Sequence, residues 1–296
     1  MLTVLLILLG LAAIAYGVPL LQAAIARRIR PKPEAIALGA VVSFFDTLGI
    51  GSFAPTTAWF KFRRMVPDRL IPPTLLVGLT AGAMAEGFIF LAGVRVDPVL
   101  LFGCSIAVLV GGLVGAPLVA RARVWIVQLV VALGLLVAAI FYVLTNLNLS
   151  PSGGTATSLP FLLTLLAIVA NFGFGILANF GVGNYAPTLV LLSLMGMDPR
   201  LCFPIMATGG CLMGAGAGAR HIQIGEVDFR IVLGLVLGGI PAVIVAALIV
   251  KSMPLDILRW LVFVVVLYTA AVMAFASWKG RREHKAQAAT AAVALQ

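Results

Sequence analysis

Uncharged apolar runs about as long as a membrane-crossing helix, roughly 20 residues, recur along nearly the whole chain. A soluble protein could not bury so many such runs in one core. The 296 residues are 62% hydrophobic and 10% charged, whereas soluble domains carry roughly 25% charged residues. The sequence therefore predicts an all-α, polytopic membrane protein.

The formal net charge of +10 does not indicate a nucleic-acid-binding protein. The basic residues form short clusters between apolar runs, which is typical of topology signals that also attract anionic lipid headgroups. Cys104, Cys202 and Cys211 each lie in an apolar run without a CxxC motif or a nearby His. We interpret them as small buried side chains, and we predict neither a metal site nor a cofactor.

An internal repeat organises the chain. The octapeptide GIGSFAPT at 49–56 returns as GVGNYAPT at 181–188, and Gly103 matches Gly234 at nearly the same offset. Many membrane transporters are built from two such related halves. The repeat predicts one helix at 1–26, a first half at 34–145, an uncharged linker at 146–159, a second half at 160–277 and a tail at 278–296.

The first segment resembles a signal peptide at Ala24-Ile25-Ala26. It has no basic n-region, however, and its apolar run exceeds the roughly 7 to 15 residues of a signal sequence. We therefore expect it to be a retained helix.

Each half then holds a broken segment with the octapeptide at its tip, followed by three apolar runs. These runs predict spans at 72–93, 97–119 and 124–145 and at 201–219, 230–250 and 256–277.

The topology depends on whether the broken segments cross the membrane. If both cross, the halves are parallel, and the 20 Lys and Arg residues divide 11 to 9 between the two sides. If both re-enter on the side from which they came, the halves are inverted and the division is 16 to 4. The positive-inside rule favours re-entrant hairpins, with the N-terminus outside and the C-terminus in the cytoplasm. Residues 160–180 are nevertheless long enough to cross.

The repeated break predicts a binding site. Backbone without helical hydrogen bonds cannot face lipid, so an unwound tip at membrane depth must be buried in protein or line a wet cavity. Pro55 and Pro187 are expected to open new helices, whose N-termini suit an anion. The alternative is a kink that serves close helix packing. The candidate substrate-binding residues are Gly49, Gly51, Ser52, Phe53, Thr56, Thr57, Gly181, Gly183, Asn184, Tyr185 and Thr188.

The duplicated octapeptide, the halves of about 130 residues and the total length resemble the sulfite exporter TauE/SafE family, also called the 4-toluene sulfonate uptake permeases. The resemblance implies transport of sulfite, thiosulfate, sulfonates and related sulfur-containing anions. Family members often have a third glycine where this chain has Ser52 and Asn184. These two positions are therefore where we expect substrate preference to differ.

Two acidic residues stand inside apolar sequence. Asp46 precedes the first tip, and Glu86 lies within the span 72–93. Intramembrane carboxyl groups are costly and often belong to proton relays. Their repeat counterparts are Ala178 and Ala217, so the fold does not require them. The hypothesis is that Asp46 or Glu86 takes up a coupling proton; the alternative is a structural, hydrogen-bonded carboxyl group.

The sequence thus predicts a secondary transporter in a bacterial-type inner membrane. An anion channel of the same architecture is the alternative. An intramembrane aspartyl protease is disfavoured because it needs paired aspartates, and an ATP-driven pump is disfavoured because the sequence shows no nucleotide-binding domain. We therefore predict no enzymatic activity. The direction of transport, the anion and the oligomeric state stay open.

Overall fold

Eleven α-helices make up the described part of the chain. The computed structural model describes residues 2–49, 51–67, 70–119, 124–146, 154–178, 184–225 and 227–294. The helices are α1 (Leu2–Ala26), α2 (Pro33–Thr47), α3 (Phe53–Phe62), α4 (Ile71–Gly93), α5 (Pro98–Val119), α6 (Val124–Asn146), α7 (Phe161–Ala178), α8 (Tyr185–Leu194), α9 (Pro199–Ile224), α10 (Phe229–Ser252) and α11 (Leu255–Ala294).

Within these ranges, seven helices are long and apolar enough to cross a bilayer: α1, α4, α5, α7, α9, α10 and α11. α6 is also of spanning length, with 23 residues. In contrast, α2 has 15 residues, and α3 and α8 have 10 each, which is too short to cross a hydrocarbon core of about 30 Å. The prediction of an all-α polytopic membrane protein is confirmed.

The first broken segment turns back on itself. Its arms are α2 and α3, which we call hairpin 1 (residues 33–62). Glu34, in the first turn of α2, accepts hydrogen bonds at Oε1 from Arg63 Nε (2.8 Å) and Trp59 Nε1 (3.2 Å). Arg63 follows the last residue of α3. The start of α2 and the end of α3 therefore lie side by side.

The second broken segment has the same form. Its arms are α7 and α8, which we call hairpin 2 (residues 161–194). Ala156, before α7, donates its N–H to the Gly196 carbonyl and accepts from the Asp198 N–H at its own carbonyl, both at 3.0 Å. These bonds join the chain just before α7 to the chain just after α8. The first octapeptide thus belongs to the turn of hairpin 1, and the described part of the second, from Asn184, leads into α8 of hairpin 2.

The two hairpins open towards opposite ends of the helix bundle. At one end, the Lys32 N–H, just before hairpin 1, donates to the carbonyl of Arg230 at the start of α10 (3.1 Å). At the other end, Arg200, just after hairpin 2, donates through Nη2 to the carbonyl of Met253 at the end of α10 (2.8 Å). Because α10 runs for 24 residues between these contacts, they lie a membrane thickness apart.

Each hairpin packs against the opposite half of the chain. α2 packs on α10, α7 packs on α5, and the buried helices α4 and α9 pack together between them. The repeated glycine lies at both of these contacts between halves. Gly234 of α10 faces Ala35 of α2, and Gly103 of α5 faces Ile168 of α7. Neither glycine leaves room for a Cβ atom, so the helix backbones approach closely.

Candidate functional site

Two left-handed glycines form the turn of hairpin 1. Gly49 has a φ of +95° and Gly51 a φ of +88°, a region that residues with a Cβ atom rarely adopt. Ser52 then caps the N-terminus of α3 with no hydrogen bond from its own side chain to the helix. Its carbonyl accepts the first helical bond, from the Thr56 N–H at 3.1 Å. The sequence motif therefore positions a helix start at the tip of the hairpin.

Each repeated proline lies at the third helical position rather than at the predicted first position, because α3 begins at Phe53 and α8 at Tyr185. A proline there has no N–H to leave unsatisfied. The free helical donors are accordingly the N–H groups of the two preceding residues, Phe53 and Ala54 in α3 and Tyr185 and Ala186 in α8.

Asp46 lies next to the helix start in hairpin 1. Ser52 Oγ donates to Asp46 Oδ2 at 2.9 Å. Ser52 itself is fully buried. The Asp46 carboxyl group is therefore hydrogen-bonded to the N-cap residue of α3.

Hairpin 2 presents neutral side chains at its helix start. Gly181 and Gly183 lie outside the described residues, and Asn184 precedes α8 without capping it. The Asn184 side chain instead donates to the Met206 carbonyl of α9 at 3.3 Å. Thr188, one turn further along α8, donates to Asn171 Oδ1 of α7 at 2.8 Å. All of these polar side chains are buried.

The tips of the two hairpins meet inside the protein. A Cβ atom added to Gly49 would lie 3.6 Å from Leu189 Cδ2 of α8. Tyr185, the first residue of α8, donates its hydroxyl to Glu86 Oε2 of α4 at 3.1 Å. Asp46 lies close enough to interact electrostatically with both Glu86 and Tyr185. Both acidic residues and both repeated motifs thus belong to one cluster.

Glu86 is the most enclosed of the charged residues in this cluster. Its side chain is 1% exposed, and its Oε1 atom has no hydrogen-bond partner among the described residues. Within the same ranges, the two ion pairs both involve Glu34, at the open end of hairpin 1, and neither includes Glu86 or Asp46. Glu86 is therefore a buried carboxyl group with no cationic partner in the described part of the chain.

The predicted side chains contribute unequally. Phe53 is 41% exposed and Thr57 is partly exposed, so neither points into the cluster as the buried residues do. Thr56 is fully buried, but its hydroxyl is engaged by the Ser52 carbonyl at 2.6 Å. Gly51 has no described atom within 4 Å of the place a Cβ would occupy. The polar side chains enclosed at the tips are Ser52, Asn184, Tyr185 and Thr188.

The sequence reasoning missed Asn171 and Thr208. Asn171 supports Thr188 and donates through Nδ2 to the Ala167 carbonyl at 2.8 Å. Thr208 of α9 is fully buried, and its hydroxyl has no partner among the described residues. Gly210, two residues further, lies against Tyr185. An isolated polar residue within an apolar run was the available signal for both.

The described part of the chain contains no cluster of three His, Cys, Asp or Glu side chains arranged to hold a metal ion. Cys104, Cys202 and Cys211 are free thiols with no exposed surface. Cys211 lies near Glu86 and Tyr185. The chemistry available at the cluster is therefore that of carboxyl, hydroxyl, amide and backbone N–H groups.

Comparison with known proteins connects this architecture to a family. A family model described as Sulfite exporter TauE/SafE matches residues 152–295, just under half of the chain. A search of curated proteins and a search of solved structures each gave no significant match. The matched region contains hairpin 2 together with α9, α10 and α11. The second half of the chain is therefore similar to the sulfite exporter TauE/SafE family, which supports the resemblance that the duplicated motif indicated.

Proposed function

We propose that this protein is a secondary transporter that moves a small sulfur-containing anion across the membrane. The observation that carries the proposal is the meeting of two hairpin tips, each with a helix N-terminus, beside two carboxyl groups inside the bundle. The TauE/SafE match supplies the sulfur chemistry, since this family is one of transporters of sulfur-containing anions.

The proposed topology has inverted halves and re-entrant hairpins. Supporting contacts are the closure of hairpin 1 by Glu34 and Arg63 and the closure of hairpin 2 around Ala156. The hairpins open at opposite ends of α10, as inverted repeats would require. The positive-inside rule then assigns the open end of hairpin 1 to the cytoplasm of a bacterial-type inner membrane.

The proposed ligand is an anion because helix N-termini present free N–H donors and a partial positive charge. The N–H groups of Phe53, Ala54, Tyr185 and Ala186 are available for this purpose. Helix ends of this kind hold anionic substrate groups near the midplane of inverted-repeat transporters. Such a site binds an anion without a buried Lys or Arg.

Proton coupling is assigned to Glu86 in this proposal. Its bond to the Tyr185 hydroxyl joins a carboxyl group of the first half to the first helical residue of hairpin 2. A change in the protonation state of Glu86 changes the charge beside α8, and a bound anion there favours the protonated form. The anion and the proton would therefore bind together.

The test is uptake by the purified protein reconstituted in proteoliposomes. The panel contains sulfite, thiosulfate, sulfate and an aryl sulfonate, each measured with and without an imposed pH gradient. We expect saturable uptake of at least one sulfite-like or sulfonate anion that responds to the gradient. Absence of uptake for the whole panel would reject the substrate class, whereas currents far above transporter turnover would identify an anion channel.

A further inference from the structure

We propose that the two hairpin tips have different roles: Asp46 occupies the helix N-terminus of hairpin 1 as an internal anion, and the anionic group of the substrate binds at hairpin 2. This inference rests on the proposed function and deepens it. It makes Asp46 a specificity-determining residue that closes one of two otherwise equivalent sites.

The occupancy of hairpin 1 follows from its hydrogen bonds. Asp46 accepts a hydrogen bond at 2.9 Å from the hydroxyl of Ser52, the N-cap residue of α3. A carboxylate near a helix N-terminus is stabilised by the helix dipole in the same way as a free anion. A substrate anion at the Phe53 and Ala54 N–H groups of this tip would lie beside the Asp46 charge.

Hairpin 2 lacks this carboxyl group. The repeat counterpart of Asp46 is Ala178, the last residue of α7. Asn184 does not cap α8, because its side-chain amide is directed to the Met206 carbonyl. The donors at the start of α8 are therefore not taken up by an acidic side chain from the corresponding position.

A buried polar group at the start of α8 also lacks a partner among the described residues. Glu86, 1% exposed, uses Oε2 for Tyr185 and leaves Oε1 unpaired. An unsatisfied buried group is costly, and an anion that accepts a hydrogen bond from protonated Glu86 at Oε1 satisfies it.

The first experiment exchanges the residues that distinguish the tips. Binding of radiolabelled sulfite to the purified full-length protein is measured for the wild type, Asp46→Ala, Ala178→Asp and the double variant. We expect Ala178→Asp to weaken binding about tenfold or more, as a competing carboxylate would. The double variant should recover binding, because the helix N-terminus of hairpin 1 is then free of the Asp46 carboxyl group. Ala178→Asn serves as the uncharged control of similar size.

Two results of this experiment would overturn the assignment. One is a wild-type affinity in Ala178→Asp. The other is loss of binding in the double variant, provided that Ala178→Asn binds normally and that all variants elute as folded protein. Failure of the wild type to bind any sulfur anion would instead count against the proposed function. The role of Asp46 is then decided by the second experiment, which needs no transport substrate.

The second experiment tests whether a free carboxylate can replace the side chain that is removed in Asp46→Ala. Asp46→Ala leaves the Ser52 hydroxyl without its acceptor, so added sodium formate should raise its thermal unfolding temperature. The wild type and Asp46→Asn should show no such shift, because their tips are filled. Equal shifts in all three proteins, or none in Asp46→Ala, would show that Asp46 does not act as an internal anion.

Discussion

Glu86 and Tyr185 form a contact between the halves of the chain, and the proposed coupling depends on it. The Glu86→Gln substitution keeps an acceptor for the Tyr185 hydroxyl, which donates at 3.1 Å in the native protein, but it removes the titrating group. We expect anion uptake to persist and its response to a pH gradient to disappear. Uptake assays with and without the gradient measure this difference. Glu283→Gln, on the exposed part of α11, is the matched control, and a full gradient response in Glu86→Gln would exclude Glu86 from coupling.

The Tyr185 hydroxyl has a separate, testable role. Tyr185→Phe keeps the ring that packs against Gly210 but removes the donor to Glu86, whose other oxygen already lacks a partner. Loss of a hydrogen bond to a buried carboxyl group typically costs about 1.5–3 kcal/mol when the group is charged. We therefore expect coupled uptake to fall by about tenfold or more with little change in the amount of folded protein. Unchanged coupled uptake in Tyr185→Phe would contradict this role of the hydroxyl.

At the residue scale, the sequence identified polar residues that stand in the repeated octapeptides or that are acidic within an apolar run. Ser52, Asn184 and Tyr185 stand inside the duplicated octapeptides, and Glu86 and Asp46 are acidic residues in apolar runs. Asn171 and Thr208 carry no such mark, since a single Asn or Thr in a membrane helix commonly bonds to its own backbone. Only the packing of α7 and α9 against α8 shows which polar side chains face the tips.

The docking of each hairpin on the opposite half is the main feature at the element scale. Gly238 of α10 lies directly against the Ile36 carbonyl of α2 and has no room for a Cβ atom. Gly238→Ala should push hairpin 1 away from α10 and lower stability by about 1–3 kcal/mol, the usual cost of overpacking. Thermal unfolding in detergent micelles measures the change. Gly134→Ala on α6 is the control because its Cβ would meet no described atom within 4 Å, and an equal loss there would contradict this explanation.

The sequence predicted the presence of these helices better than it predicted the residues at which they begin and end. The duplicated motif locates the turn of hairpin 1, but the prolines suggested a helix start two residues later than the observed Phe53 and Tyr185. A proline is acceptable at any of the first helical positions, where no N–H is needed for the helix. Likewise, α9 continues to Ile224 and ends at Gly225, whose φ of +79° is typical of a C-terminal cap.

The orientation of the whole molecule yields a labelling prediction. Arg64, at the open end of hairpin 1, and Thr157, at that of hairpin 2, are both exposed. Single substitutions Arg64→Cys and Thr157→Cys should react with an impermeant thiol reagent from the cytoplasmic and external sides, respectively. The three native thiols are fully buried and should give little background. Labelling of both positions from one side would exclude the inverted arrangement.

At this scale, the distribution of Lys and Arg carries the topology prediction, because it favours the re-entrant arrangement by a 16 to 4 division. The reciprocal pairing of α2 with α10 and of α7 with α5 could not be predicted in that way. Apolar helix faces do not specify their neighbours, since lipid tails are as apolar as other helices. Close approach at Gly103 and Gly234 depends on the complete tertiary arrangement.

The reciprocal packing also sets an order of assembly during synthesis. Hairpin 2 follows α5 in the chain, so the partner of α7 has already been synthesised when α7 emerges. The partner of α2 is α10, which is synthesised later, about 200 residues downstream of Ile36. At a ribosomal rate of about 5–20 residues per second, this delay lasts roughly 10–40 s. During that time Asp46 and Ser52 have no completed protein interior around them. The nascent hairpin 1 must therefore be kept from lipid until α10 arrives, and the segment translated early becomes one of the last to dock.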